Sequence, residues 1–205
     1  MALIKLNNKA VSNATAFGSI SSLGSMTFIK KLTASSSATL SFVDGSDGVV
    51  LDDTYKEYMF TFKNIHPATD NTHLQMNFST DSGSNYNVAK TSTHFYAQHN
   101  ESGADSTLSY NTSGDLAQGT GVQFICRSMG NGNDECASGI FHLFNPSSST
   151  FVKHFMCRFA KQTANDKAQE NYVAGYGNTT SSIDAIQFSM SSGNFDGDIC
   201  LYGIA

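Results

Sequence analysis

The segment S-I-D-A-I-Q-F-S-M-S-S-G-N-F-D-G-D-I-C-L-Y-G-I, Ser182 to Ile204, decides how the chain folds. Ile186, Phe188 and Met190 alternate with Gln187 and Ser189, the period of two that turns one face of a strand toward a core. Gly193-Asn194-Phe195-Asp196-Gly197 supplies residues that tolerate positive φ, and Ile199-Cys200-Leu201-Tyr202 follows as a second apolar run. The expectation is an antiparallel hairpin whose last strand lies inside a sheet of a β-sandwich.

The same signature recurs upstream. Tyr58, Phe60 and Phe62 share one face of a run from Tyr55 to Ile65, and Leu74-Gln75-Met76-Asn77-Phe78 alternates again. Phe151, Lys153, Phe155, Cys157 and Phe159 fall on one side of a long run. Further strands are expected over 26–32, 38–43, 86–89, 94–99, 121–127, 138–144 and 171–176. A glycine-rich loop, Gly130 to Asp134, suggests that 121–127 pairs with 138–144. Residues 163–170 read equally as one or two helical turns or as a loop. Residues 100–121 form a polar stretch longer than ordinary sandwich turns, which marks a mobile or functional loop.

The total is ten to eleven strands, at the spacing of an all-β antiparallel sandwich or barrel. Without an internal repeat or a domain boundary, residues 25–205 read as one domain. Residues 1–24 carry Leu3, Ile4, Leu6 and Phe17 in a setting of Asn, Ser, Gly and Ala. That pattern reads as an extended anchoring arm or, equally, as a disordered tail.

Charged residues make up 14% of the chain and the net charge is −5, so long-range steering is weak. With Arg127 and Arg158 the only arginines, a nucleic-acid footprint is not expected. No apolar run approaches the ~20 residues that cross a bilayer as a helix. The N-terminus has no signal-peptide pattern, so the chain is expected to be made and kept in a cytoplasm until assembly or lysis. Three cysteines (Cys126, Cys157, Cys200) sit in apolar runs as free thiols would. Cys126 and Cys136 could also face each other across a hairpin.

Little in the chain points to catalysis. No two of the six histidines have the helical spacing of a zinc protease, nor the strand spacing that cupin-like metal sites draw on. The four glutamates form no evident pair for glycoside hydrolysis, and a Gly-x-Ser-x-Gly elbow is missing. The expectation is a protein without catalytic residues, metal or cofactor. Tyr86, Tyr96 and Tyr110, near the long polar loop, are candidate stacking platforms for a sugar. The competing reading has them covering strand ends with their hydroxyls in water.

Three patterns carry a resemblance: Tyr55-x-x-Tyr58-x-Phe60-x-Phe62-x-Asn64-Ile65-x-Pro67 followed by Leu74 and the Ser79 to Gly83 turn; Ala185-Ile186-x-Phe188 with Ser192-Gly193-Asn194; and Leu201-Tyr202-Gly203-Ile204. Over about residues 25 to 204 the chain resembles small structural proteins of tailed bacteriophages, notably of marine cyanobacteria. The resemblance implies a virion component with a jelly-roll-like body, on the capsid surface as a decoration or head spike, or in a tail fibre or appendage. It implies attachment to other virion proteins, for which the arm is the natural anchor, and a homo-oligomer such as a trimer. A carbohydrate-binding module for host-surface adhesion is the alternative.

Overall fold

The computed structural model describes residues 25–205, and the arm residues Leu3, Ile4, Leu6 and Phe17 lie outside them. Within that range the chain forms twelve strands: β1 (Met26–Ser37), β2 (Thr39–Val43), β3 (Glu57–Pro67), β4 (Thr72–Ser79), β5 (Lys90–Asn100), β6 (Ser106–Tyr110), β7 (Gln123–Met129), β8 (Ala137–Phe144), β9 (Lys153–Thr163), β10 (Lys167–Gly177), β11 (Ala185–Met190) and β12 (Phe195–Ile204). All pairings are antiparallel. One layer runs β1-β12-β3-β8-β9-β10-β5-β6 and the other β7-β4-β11-β2. A single pairing, Met129 with Thr163, joins them into a nearly closed sandwich-like sheet.

Alternation places the core where the sequence predicts it. Tyr58, Phe60 and Phe62 of β3 and Phe188 of β11 are buried, and their layers meet through aromatic rings. Phe188 packs edge-on against Phe60 at 5.5 Å and Phe62 at 5.0 Å between centroids. Phe42 meets Phe60 at 5.2 Å, and Phe78 meets Phe155 at 5.6 Å. Such edge-to-face pairs add to the stabilisation from area burial alone.

The C-terminal hairpin does not form. β11 pairs with β2 and β4, while β12 pairs with β1 and β3. The Gly193 loop is therefore an arch from one layer to the other. β7 and β8 are separated in the same way, with β8 pairing β3 and β9. Turn-favouring residues permit a reversal but do not say whether the strands on either side bond to each other or to strands far away in sequence. Neighbouring arches gather at one end, where Ala68 N donates to Asn194 O (2.8 Å) and Asn194 Nδ2 donates to Ser36 O (2.8 Å). Ser36 has φ of 49°, which bends the chain as it passes from β1 toward β2.

Other expectations also change. Residues 163–170 form no helix: Thr163 ends β9, a turn follows, and β10 begins at Lys167, four residues ahead of the expected strand. The long polar stretch contains β6, paired with β5, and residues 86–89 form no strand. Phe151 precedes β9 and is exposed, outside the buried row of Lys153, Phe155, Cys157 and Phe159. The four cysteines are free, so Cys126 and Cys136 do not pair.

Candidate functional site

The two layers differ in width, and that difference makes the site. Edge strand β7 closes the four-stranded layer over β9, while β10, β5 and β6 extend beyond it. The inward faces of β5 and of the Gln169 end of β10 therefore have no strand opposite them. Residues 111–121 cover part of this overhang: Asn111 N donates to His94 O (2.7 Å), Ser92 N donates to Leu116 O (2.9 Å), and Lys90 bridges to Gly119. What is left uncovered is a polar cleft of about 350 Å³.

Arg127 and Ser128 supply one wall from β7, and Tyr96, Gln98, Gln169 and Asn171 supply the floor. Asn71, Asn111, Thr163, Asn165 and Lys167 form the rim. Along β10 the inward positions change from Val173 to Asn171 to Gln169 as the strand leaves the cover of β7. That switch from apolar to amide at constant parity is the sequence signal for an overhanging sheet.

The hydrogen bonds have a direction. A backbone N–H can only donate, so the Asn171 atom 3.4 Å from Arg127 N is the amide oxygen. His94 Nε2, 3.0 Å from the same oxygen, must then carry the proton. Burial lowers the His94 pKa, in keeping with a neutral ring. Asn171 Nδ2 donates to Gln169 Oε1 (3.2 Å), and Gln169 Nε2 donates to Gln98 Oε1 (2.9 Å). The chain of donors ends at Gln98 Nε2, which has no acceptor among the described residues. Asn111 Oδ1 accepts from Arg127 Nη1 and from Ser113 N (3.1 Å), leaving its Nδ2 uncommitted.

Arg127 holds the largest reserve of donors. Its guanidinium carbon lies 5.6 Å from the centre of the Phe124 ring, and its Nε is buried without a partner among the described residues. Of five guanidinium N–H groups only one, on Nη1, is engaged. Lys167 on the rim is paired with Asp105 at 2.6 Å. No carboxylate lines the cleft.

Behind the wall, Ser128 has φ of 55°, and Lys161 Nζ donates to the carbonyls of Arg127 and of Ser128 (2.7 Å). Burial pushes the Lys161 pKa down to about 8. The same happens to Lys90, whose Nζ donates to Asn77 Oδ1 (2.5 Å) and Val88 O (2.7 Å). Both ammonium groups are structural ties rather than parts of the cleft.

Of the three tyrosines singled out from sequence, only Tyr96 reaches the cleft. Tyr110 pairs in register with Phe95, so it belongs to the opposite face of the sheet, and its hydroxyl donates to Asp115 at 2.5 Å. Tyr86 lies in the loop after β4, where its carbonyl accepts from Asn77 Nδ2 at 2.5 Å. Arg127, Gln98, Asn111, Gln169 and Asn171 were not singled out, since each is unremarkable alone.

A second feature lies on the outer face of the wide layer. Register places Tyr202, Met59, His142, Met156 and Ala174 in one row across five strands. The next row holds Ile140, Arg158, Tyr172 and Phe95. Phe95 stacks flat on Tyr172 at 4.7 Å, with the Arg158 guanidinium 5.4 Å from the Tyr172 ring. Phe95, Ile140 and Met156 are exposed around a largely apolar hollow of about 350 Å³.

Among the described residues no group of three or more His, Cys, Asp or Glu side chains could hold a metal ion. No protein-family model, curated protein or solved structure matches the chain.

Proposed function

We propose that the chain is a non-enzymatic structural component of a bacteriophage particle, a jelly-roll body carried on the capsid or a tail appendage. The winding of the strands carries this reading. β1 pairs β12, β2 pairs β11, β3 pairs β8 and β4 pairs β7, so a paired ribbon folds over itself into two four-stranded layers. The remaining strands, β5, β6, β9 and β10, widen one layer. Jelly rolls of this winding serve as viral capsid domains and as lectins, and the argument from fold is one of analogy. The resemblance of the sequence patterns to phage structural proteins points the same way.

The exposed Phe95, Ile140 and Met156 around the apolar hollow of the wide layer fit the reading as well. An exposed apolar patch of this kind suits a protein that packs against copies of itself or against neighbouring virion proteins. The test is whether an antibody raised against residues 25–205 labels purified particles of the phage encoding the chain. Labelled particles support the proposal; chain found only in the soluble fraction of the lysate overturns it.

The cleft favours a second reading, recognition of a host-surface glycan. Amide groups suit sugar hydroxyls because each offers both a donor and an acceptor, and Tyr96 offers a ring face for stacking. The two readings are compatible in one displayed protein.

A further inference from the structure

We infer that the cleft between β7 and the β5–β10 overhang selects an acidic saccharide, taking its carboxylate on Arg127 and its sugar ring on Tyr96. This rests on the glycan-binding reading and adds the charge of the ligand. The amide orientations are not free choices. Fixed by the Arg127 backbone N–H, the donor chain through Asn171 and Gln169 delivers an unpaired N–H at Gln98. Asn111 likewise accepts with its oxygen and leaves its NH2 over. The cleft thus presents donors in excess, and its natural complement is a ligand rich in acceptors.

Charge narrows the class further. The Arg127 guanidinium lines the cleft with one N–H engaged and has no acidic partner there. The rim cation Lys167 is already neutralised by Asp105. A neutral sugar would leave the guanidinium fork without the planar, two-oxygen acceptor that suits it best, whereas a uronic or sialic acid supplies a carboxylate beside a ring of hydroxyls. The Phe124 ring, 5.6 Å from the guanidinium carbon, offers the cation an attractive π face on the side away from a ligand.

Binding to a glycan array of matched pairs tests this: uronate- and sialate-bearing oligosaccharides beside their methyl esters, which keep the stereochemistry and remove the charge. The expected result is binding to acidic members, roughly tenfold or more weaker for the esters. Arg127→Gln should lower acid binding roughly 10- to 100-fold and erase the preference over the ester. Arg127→Lys, which keeps charge but not the fork, should recover only part of it. Because Arg127 also braces Asn111, Tyr96→Ala and Gln98→Ala serve as variants that leave those contacts in place, and each should weaken acids and esters together. Equal binding of acid and ester overturns the inference while the glycan reading stands. No binding to any acidic or neutral member overturns both.

Discussion

Lys161 Nζ donates to the backbone carbonyl of Ser128 at 2.7 Å, so peptide dipoles hold a buried cation at the point where the narrow layer meets the wide one. Lys90 repeats the device beneath the 111–121 cover, again with uncharged acceptors. Each lysine has a pKa near 8 in the fold, against 10.5 for the ordinary side chain.

The sign of the pH dependence follows. Between pH 8 and 10.5 the unfolded chain holds more lysine protons than the folded one, so this contribution to stability rises with pH. Its ceiling is about 1.4 kcal/mol per pH unit for each lysine. Buried Cys126 and Cys157 act in the opposite sense above pH 9: their thiol pKa values are raised, so the unfolded state loses those protons first. From pH 8 to 9 the two lysines together add about 2 kcal/mol, from which the thiols begin to subtract as pH nears 9. Buried Lys153, its pKa also lowered by burial, acts in the same sense as the other two lysines. Urea denaturation at pH 8 and 9 checks it, and Lys90→Met with Lys161→Met should remove most of the rise.

Gly114 backs directly onto His94. A Cβ at this position would stand 2.2 Å from His94 Nδ1, and the ring is held from its other side by Asn171. Gly114→Ala must displace either the loop or the ring, at a cost of about 1–3 kcal/mol. A thermal melt reads the loss, and the same variant should weaken glycan binding by shifting Asn111.

Phe188 joins the two layers through Phe60, Phe62 and Phe141, and packs beside Phe42 of its own layer. Phe188→Ala leaves a cavity between rings that cannot all collapse inward, and should cost about 3–5 kcal/mol in equilibrium unfolding. Phe151→Ala, at an exposed ring outside the strands, should change stability by no more than about 0.5 kcal/mol.

Asn171 is the acceptor on which the cleft network is built. Asn171→Leu strands the Arg127 N–H and the His94 Nε2–H in a buried setting. A loss of about 1–3 kcal/mol is expected by denaturant titration. Asn171→Asp keeps both bonds but places a carboxylate in the cleft, and should abolish acidic-glycan binding while the fold survives.

What could be read from sequence follows parity. Tyr58, Phe60, Phe62 and Phe188 declared themselves because their neighbours are polar, and even Lys153 fell on the buried side with Phe155 and Phe159. Pairing partners were not legible. Gly193 and Gly130 loops carry the chemistry of a reversal, yet the strands beyond them bond to β1, β3, β4 and β9, up to more than a hundred residues away. The cleft was legible only at Tyr96. Its other residues acquire meaning from the unequal width of the layers, which no local window contains.

The outer face of the wide layer should matter for assembly and not for folding. Ile140→Asp and Met156→Asp replace exposed apolar side chains. They should shift stability by no more than about 0.5 kcal/mol. Incorporation into particles, measured by quantitative mass spectrometry, should fall.

The most direct measurement is an electron cryomicroscopy reconstruction of the intact phage particle. The account predicts copies of the twelve-stranded body in the head or tail, with Phe95, Ile140 and Met156 against a neighbouring protein and the Arg127 cleft open to the outside. A particle complete without the chain, or one that presents Phe95, Ile140 and Met156 to solvent and buries the cleft against the shell, would contradict it.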